Sequence, residues 1–367
     1  MREFLMVLLT AAIVTYLATP LVRRLALRVG AITAVRDRDV HSVPIPRLGG
    51  VAMLLGFTAA VVLGKQLPYH GQLFDASPQL YGVLAAAALV TLLGAVDDVR
   101  ELDWLTKLAG QVVAGAVMAF YGVQLLSLPI LGVTVLPEPV MVTLTILVVV
   151  ISTNAVNFID GLDGLAAGVV LIAAAAFFAW SYLVSKDFDP PNVFSVATFI
   201  SAAVIGVCLG FLPHNFHPAR LFMGDAGALL LGLLLAAATI SMTGSVDPSS
   251  SLASTSAAAA FLLPLLIPVA IMALPFLDIV MAVLRRTRAG QRPWKPDRGH
   301  LHHRLLDIGH SHRRAVVLLY LWAGLIAVGA VSFAYLTPWV SVLGIALLLA
   351  LAIVLTRGPR RQSVAGP

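Results

Sequence analysis

Charge and cysteine are what this chain has least of. Asp, Glu, Lys and Arg make up 11% of its 367 residues, against about 25% in an ordinary soluble domain. So few charges cannot clothe a water-facing surface, which excludes disorder and a soluble nucleic-acid-binding domain despite a sequence pI near 9.8. The one cysteine, Cys208, excludes an intrachain disulfide, a disulfide-rich secreted fold and a cysteine metal cluster. Small apolar filler is its expected role. Apolar residues take the place of charge, at 59% of the chain with a mean hydropathy of +0.95. Lipid is therefore the solvent for most of this protein.

Crossing a hydrocarbon core of roughly 30 Å takes about 20 apolar residues. Eleven such runs occur, at about 4–21, 48–65, 78–96, 108–126, 139–156, 164–184, 194–212, 224–242, 257–284, 315–336 and 338–356. They predict an all-α integral membrane protein of about eleven transmembrane helices. The spans leave no room for a separate soluble domain, so residues 1–367 read as one polytopic unit with a basic tail at about 357–367. The first run is too long for a signal peptide, and Arg23, Arg24 and Arg28 follow it closely. With the N-terminus outside, 21 of the 24 Lys and Arg fall on the cytoplasmic side, leaving Arg2, Lys65 and Lys186 outside. One miscounted span would invert every later loop, so this asymmetry predicts an N-out, C-in topology.

The same alternation sorts the polar residues. The inner loops collect Asp97-Asp98, Asn157-x-x-Asp160-x-x-Asp163, Asn215, Asp225 and His300-Leu301-His302-His303. The outer loops hold scattered groups such as Tyr69-His70, Asp75, Glu138, Asp187, Asp189 and Asp247. A transporter would need polar groups near the midplane of its spans, and here Asp278 is the main one. Converging ionisable residues at one membrane border point instead to an enzyme facing the cytoplasm.

Each motif also has a plainer reading. Asp97-Asp98 closes the third span and its acids could simply pair with Arg100. Asp225, in Phe222-Met223-Gly224-Asp225-Ala226-Gly227, could be a first-turn acid favoured by the helix dipole. In Asn154-Ala155-Val156-Asn157-Phe158-Ile159-Asp160-Gly161-Leu162-Asp163-Gly164, Asn157, Asp160 and Asp163 recur at threes and would share a helical face. An EF-hand is excluded there, because the loop is too short and lacks the bidentate Glu. Oxygen donors from several loops suit a hard cation, Mg²⁺ or Mn²⁺, with phosphates completing its shell. The histidine element lies among Arg298, Arg304, Arg313 and Arg314. That setting suits a phosphate site, although Asp297, His310 and His312 nearby keep zinc as an alternative. Carboxylates with a hard cation opposite a basic loop are the parts of phosphoryl transfer between two anions. At a bilayer surface, one reactant can be a lipid phosphate and the other a soluble nucleotide.

Five motifs in order, Pro46-Arg47-Leu48-Gly49-Gly50, Asp97-Asp98, Asn154 to Gly164, Phe222 to Gly227 and His300 to His303, resemble the polyprenyl-phosphate N-acetylhexosamine-1-phosphate transferases. The match runs from about residue 36 to 314. The resemblance implies that undecaprenyl phosphate attacks the β-phosphorus of a UDP-N-acetylhexosamine, giving a lipid diphosphate sugar and UMP, with Mg²⁺ (or Mn²⁺) required. By motif, Asp225 becomes the main metal ligand with Asp98 near the metal, and Asp97 the candidate base or lipid-phosphate partner. Asn154, Asn157, Asp160 and Asp163 serve nucleotide and diphosphate binding, Asn215 and Phe222 hold the uracil, and Lys107 lies near the phosphates. His300, His302 and His303, with Arg298 and Arg304, take the sugar-diphosphate end. The family implies a bacterial inner membrane, a bent ninth span (Pro264, Pro268, Pro275) bordering the prenyl groove, and allows a homodimer. No nucleic-acid partner is expected. The stretch His41 to Arg47 and the interrupted His-x-His-His look like the GlcNAc-1-phosphate branch, with the phospho-N-acetylmuramoyl-pentapeptide branch as the alternative.

Overall fold

The computed structural model describes residues 1–32, 44–126, 136–187, 195–243 and 308–356, with isolated positions at 134, 284, 285, 287, 288, 290 and 305. Among these, eleven helices are present and no strand forms, only a single bridge between Ile32 and Pro46. The helices are α1 (Arg2–Val29), α2 (Gly49–Gln66), α3 (Pro68–Ala76), α4 (Gln79–Arg100), α5 (Trp104–Phe120) and α6 (Glu138–Ile159). They continue with α7 (Leu165–Asp187), α8 (Ser195–Asn215), α9 (Gly224–Thr243), α10 (His312–Tyr335) and α11 (Pro338–Thr356). Nine are long and apolar enough to cross a membrane, and α5 is a shorter apolar helix. The all-helical, polytopic expectation therefore holds for the described residues.

Three boundaries differ from the sequence reading, each for a local reason. The first helix runs to Val29 rather than ending near 21, because Arg23, Arg24 and Arg28 are excluded from lipid but not from a helix. Gly30, at φ 74°, then stops it in the left-handed conformation. The region expected to be loop between the second and third spans holds α3, begun by Pro68 at its first turn. α5 starts at Trp104 because Asp103 caps it, its side chain accepting from the N–H groups of Leu105 and Thr106. The expected ninth span at 257–284 with its prolines, the histidine element and the tail beyond 356 lie outside the described residues, apart from Leu284.

The interior is built around α9, which packs on α2, α4, α6 and α8. Its apolar stretch is 94% buried, whereas that of α11, the most hydropathic span among the described residues, is 11% buried. An all-round apolar helix needs either a protein interior or lipid, and these two helices take one each. The C-terminal end of α4 and the N-termini of α5, α7 and α9 meet at one end of the bundle. The beginnings of α1, α3 and α4 occupy the other.

Candidate active site

Gly94 and Gly224 let the site form. A Cβ on Gly94 would run into the backbone of Asp225 and Ala226, so α4 and α9 can touch there only through glycine. Gly224 sits at φ 67°, where a side chain is strained, and a Cβ would also strike the Asp98 carboxyl. Brought this close, Asp98 accepts the N–H of Asp225 through Oδ1 (3.0 Å) and that of Ala226 through Oδ2 (3.2 Å). It thus satisfies two of the donors that open α9. The Pro46 to Gly50 segment braces the same turn. The Phe222 N–H donates to Pro46 O (2.9 Å), while the N–H groups of Gly49 and Gly50 donate to the carbonyls of Phe222 and Met223, both at 3.0 Å.

Asp225 is held by this frame against Lys107 of α5. The ammonium lies 3.1 Å from Asp225 Oδ2 and 3.0 Å from Asp97 Oδ2, so one cation is shared by two carboxylates. Those carboxyls are within hydrogen-bonding reach of each other. Asp97 Oδ1 accepts the Leu102 N–H at 2.7 Å, and Asn157 donates through Nδ2 to Asp225 Oδ1 at 2.9 Å. Asp160, just past the end of α6, keeps part of its surface in solvent. Burial, and next the negative charges of Asp225 and Asp98, nonetheless push its carboxyl up to about 8, against a pull downward from Arg47. Four carboxyls crowded around two basic groups raise one another's proton affinity, and hard oxygen donors from α4 and α9 could hold a divalent cation that replaces those protons. Asp97 and Asp225 suit that task best, because the Lys107 ammonium on their Oδ2 atoms is a side chain that can move aside, whereas both Asp98 oxygens accept fixed backbone N–H groups.

The remaining expected residues lie around this centre in different ways. Asn154 faces α5, donating to Gln111 Oε1 (2.6 Å) and to Val150 O (2.8 Å). Asn215 is buried and ties the loops together, accepting the Gly164 N–H and donating to Leu221 O, both at 3.0 Å. Phe222 contributes its backbone to the brace and keeps its ring half-buried. Asp163 Oδ2 lies 2.9 Å from His217 Nδ1 and accepts the Ala219 N–H at 3.0 Å. His300, His302, His303, Arg298 and Arg304 fall outside the described residues. The sequence reading gave no role to Gln111, Arg47 or His217. Gln111 was findable one helical turn beyond Lys107; His217 carried no local signal, since its partner Asp163 is 54 residues away.

Comparison with known proteins gives one consistent picture. The sequence profile of glycosyl transferase family 4 matches residues 80–243. A decaprenyl-phosphate N-acetylglucosaminephosphotransferase of Mycolicibacterium smegmatis is 46% identical over 98% of this chain and 90% of its own length. The protein of that name from Mycobacterium tuberculosis is 46% identical over 92% and 84%. An undecaprenyl-phosphate alpha-N-acetylglucosaminyl 1-phosphate transferase of Escherichia coli is 30% identical over 83% and 77%.

Proposed function

The chain belongs to glycosyl transferase family 4, and from that membership we propose that it transfers GlcNAc-1-phosphate from UDP-GlcNAc to a polyprenyl phosphate. The acceptor's phosphate oxygen forms a bond to the β-phosphorus, the bond from that phosphorus to the bridging oxygen breaks, and UMP departs with that oxygen. Decaprenyl phosphate is the favoured acceptor, since the relatives sharing 46% identity carry that lipid in their names; undecaprenyl phosphate is the close variant. The active site faces the cytoplasm of a bacterial inner membrane, in keeping with the distribution of Lys and Arg.

The observation that carries this reading is the Asp97–Lys107–Asp225 bridge, with Asn157 on the second oxygen of Asp225. It supplies a preorganised charge frame at a helix N-terminus, where phosphates bind readily. Asp225 and Asp97 would hold Mg²⁺, with Asp98 fixing the turn that presents Asp225. When bound, the ion would neutralise diphosphate oxygens as charge builds on the leaving UMP. Lys107, released from the carboxylates, would then be available to a phosphate oxygen. A lipid phosphate is already ionised at neutral pH, so Asp97 is needed to position it rather than to remove a proton. The nucleotide would lie toward Asp160, Asp163 and Phe222, with the His300 to His303 element and Arg298 and Arg304 at the sugar-diphosphate end. UMP release from UDP-GlcNAc by the purified protein in detergent, with decaprenyl or undecaprenyl phosphate, tests the proposal. Release that needs both lipid and divalent cation supports it; lipid-independent or chelator-insensitive release overturns it.

A further inference from the structure

Beside this centre, and sharing only Asp163 with the nucleotide end proposed above, stands a second group of ligating side chains. Asp163 opens the turn before α7, His217 lies in the loop between α8 and α9, and His312 begins α10. One ligand atom from each lies within 4.8 Å of the other two. The two imidazoles stack with ring centroids 4.3 Å apart and planes 18° from parallel, and Asp163 Oδ2 is 2.9 Å from His217 Nδ1. Asp163 and His312 are buried, while His217 keeps about a third of its side chain open to solvent. That opening is a way in for an ion.

From this geometry we infer a three-ligand site for a borderline transition metal, Zn²⁺ foremost, formed by Asp163, His217 and His312. The donor set of two imidazoles and one carboxylate suits zinc and leaves a fourth position for water. A tetrahedral ion with ligand bonds of about 2.0–2.1 Å would space its donors roughly 3.3 Å apart. Side-chain adjustments of an ångström or two would close the group, with the ion taking the place of the direct contact between Asp163 and His217. The outer contacts are those of a held ligand set. The Ala219 N–H donates to Asp163 Oδ2 (3.0 Å) and Arg313 Nε donates to His217 O (3.0 Å). The site differs from the zinc grouping considered from sequence, which set Asp297, His310 and His312 beside His300, His302 and His303. His310 instead approaches Thr356 O through Nε2, at 3.1 Å. Because its ligands come from three separate segments, an ion here staples α10 to the turn before α7 and to the loop after α8.

Cobalt is the probe that separates this site from the Mg²⁺ centre, since its visible spectrum reports coordination without any turnover. Full-length protein in detergent, stripped with chelator, is titrated with Co²⁺ and then with Zn²⁺, and thermal unfolding is followed alongside. The expected result is one equivalent of cobalt with the strong visible band of tetrahedral coordination, its displacement by zinc, and a raised unfolding midpoint. His217→Ala/His312→Ala should lose band and midpoint shift together, whereas His300→Ala/His302→Ala/His303→Ala should keep both. A band that survives the first variant, vanishes in the second, or never forms in correctly folded wild-type protein overturns the site and leaves Asp163 and His217 as a plain acid–imidazole pair.

Discussion

At one end of the bundle, Glu3 accepts the N–H groups of Tyr69 and His70 and lies 3.0 Å from His70 Nδ1. The rings of Phe4 and Phe199 close over that imidazole at 4.6 and 5.3 Å. At the other end, Asp97 and Asp225 share Lys107, with Asp98 and Asp160 alongside. Both ends bury acids beside bases, yet one carboxylate fastens α3 to α1, while the other cluster crowds like charges. Self-contained polar clusters stabilise; clusters that crowd like groups cost stability and are kept for what they bind. The pairing of acid and base does not distinguish the two. The crowding of carboxyls does.

The largest test of this contrast is Asp225→Ala, which should lower UMP release by on the order of 10³-fold or more. Its unfolding midpoint should stay near that of the wild type, and a protein that turns over normally without Asp225 would remove the metal assignment. Lys107→Met should cost about 10²-fold or more in kcat through the lost charge on the phosphates, and added Mg²⁺ should stabilise this variant more than the wild type. Gly94→Val sharpens the comparison differently, because the side chain would drive α4 off α9. A loss of about 1–3 kcal/mol should accompany a loss of activity, measured by denaturation and UMP release on one preparation.

Smaller effects belong to the far end. Glu3→Ala should cost about 1–3 kcal/mol, the penalty for stranding backbone donors in a half-buried place, with kcat unchanged; a matching fall in kcat would show the two ends to be coupled. The smallest effect is that of pH on His70. Burial lowers its imidazole to about 4, outweighing the upward pull of Glu3, so the folded protein holds it neutral where the unfolded chain, titrating near 6.5, would protonate it. Its contribution to stability is complete above about 6.5 and is lost as pH falls toward 4. Unfolding midpoints at pH 7 and pH 5 should therefore differ more in the wild type than in His70→Gln.

Much of this architecture was legible in the sequence because lipid demands one thing, about 20 apolar residues per crossing. α3 was not, since a nine-residue helix begun by Pro68 and carrying Gly71 has neither length nor a strong apolar stripe. The Asp97-Asp98 pair could be located, but adjacent acids on a helix point different ways. Only the packing separates Asp98, spent on the N–H groups of α9, from Asp97, turned to Lys107. Asn215 was expected to hold a base and is engaged with the protein's own backbone through both ends of its amide.

By itself, the sequence determined that this chain is built from many apolar helices fit to cross a membrane, and which short motifs carry charge at their borders. Those properties are local, because transfer to lipid is summed residue by residue along one segment. Which helix becomes the core was decided only by the fold, for α9 and α11 are both apolar throughout and differ in what surrounds them. So was the site itself. Asp98 meets Asp225 across 127 residues because Gly94 and Gly224 leave two helices room to touch, and a close approach belongs to both surfaces at once.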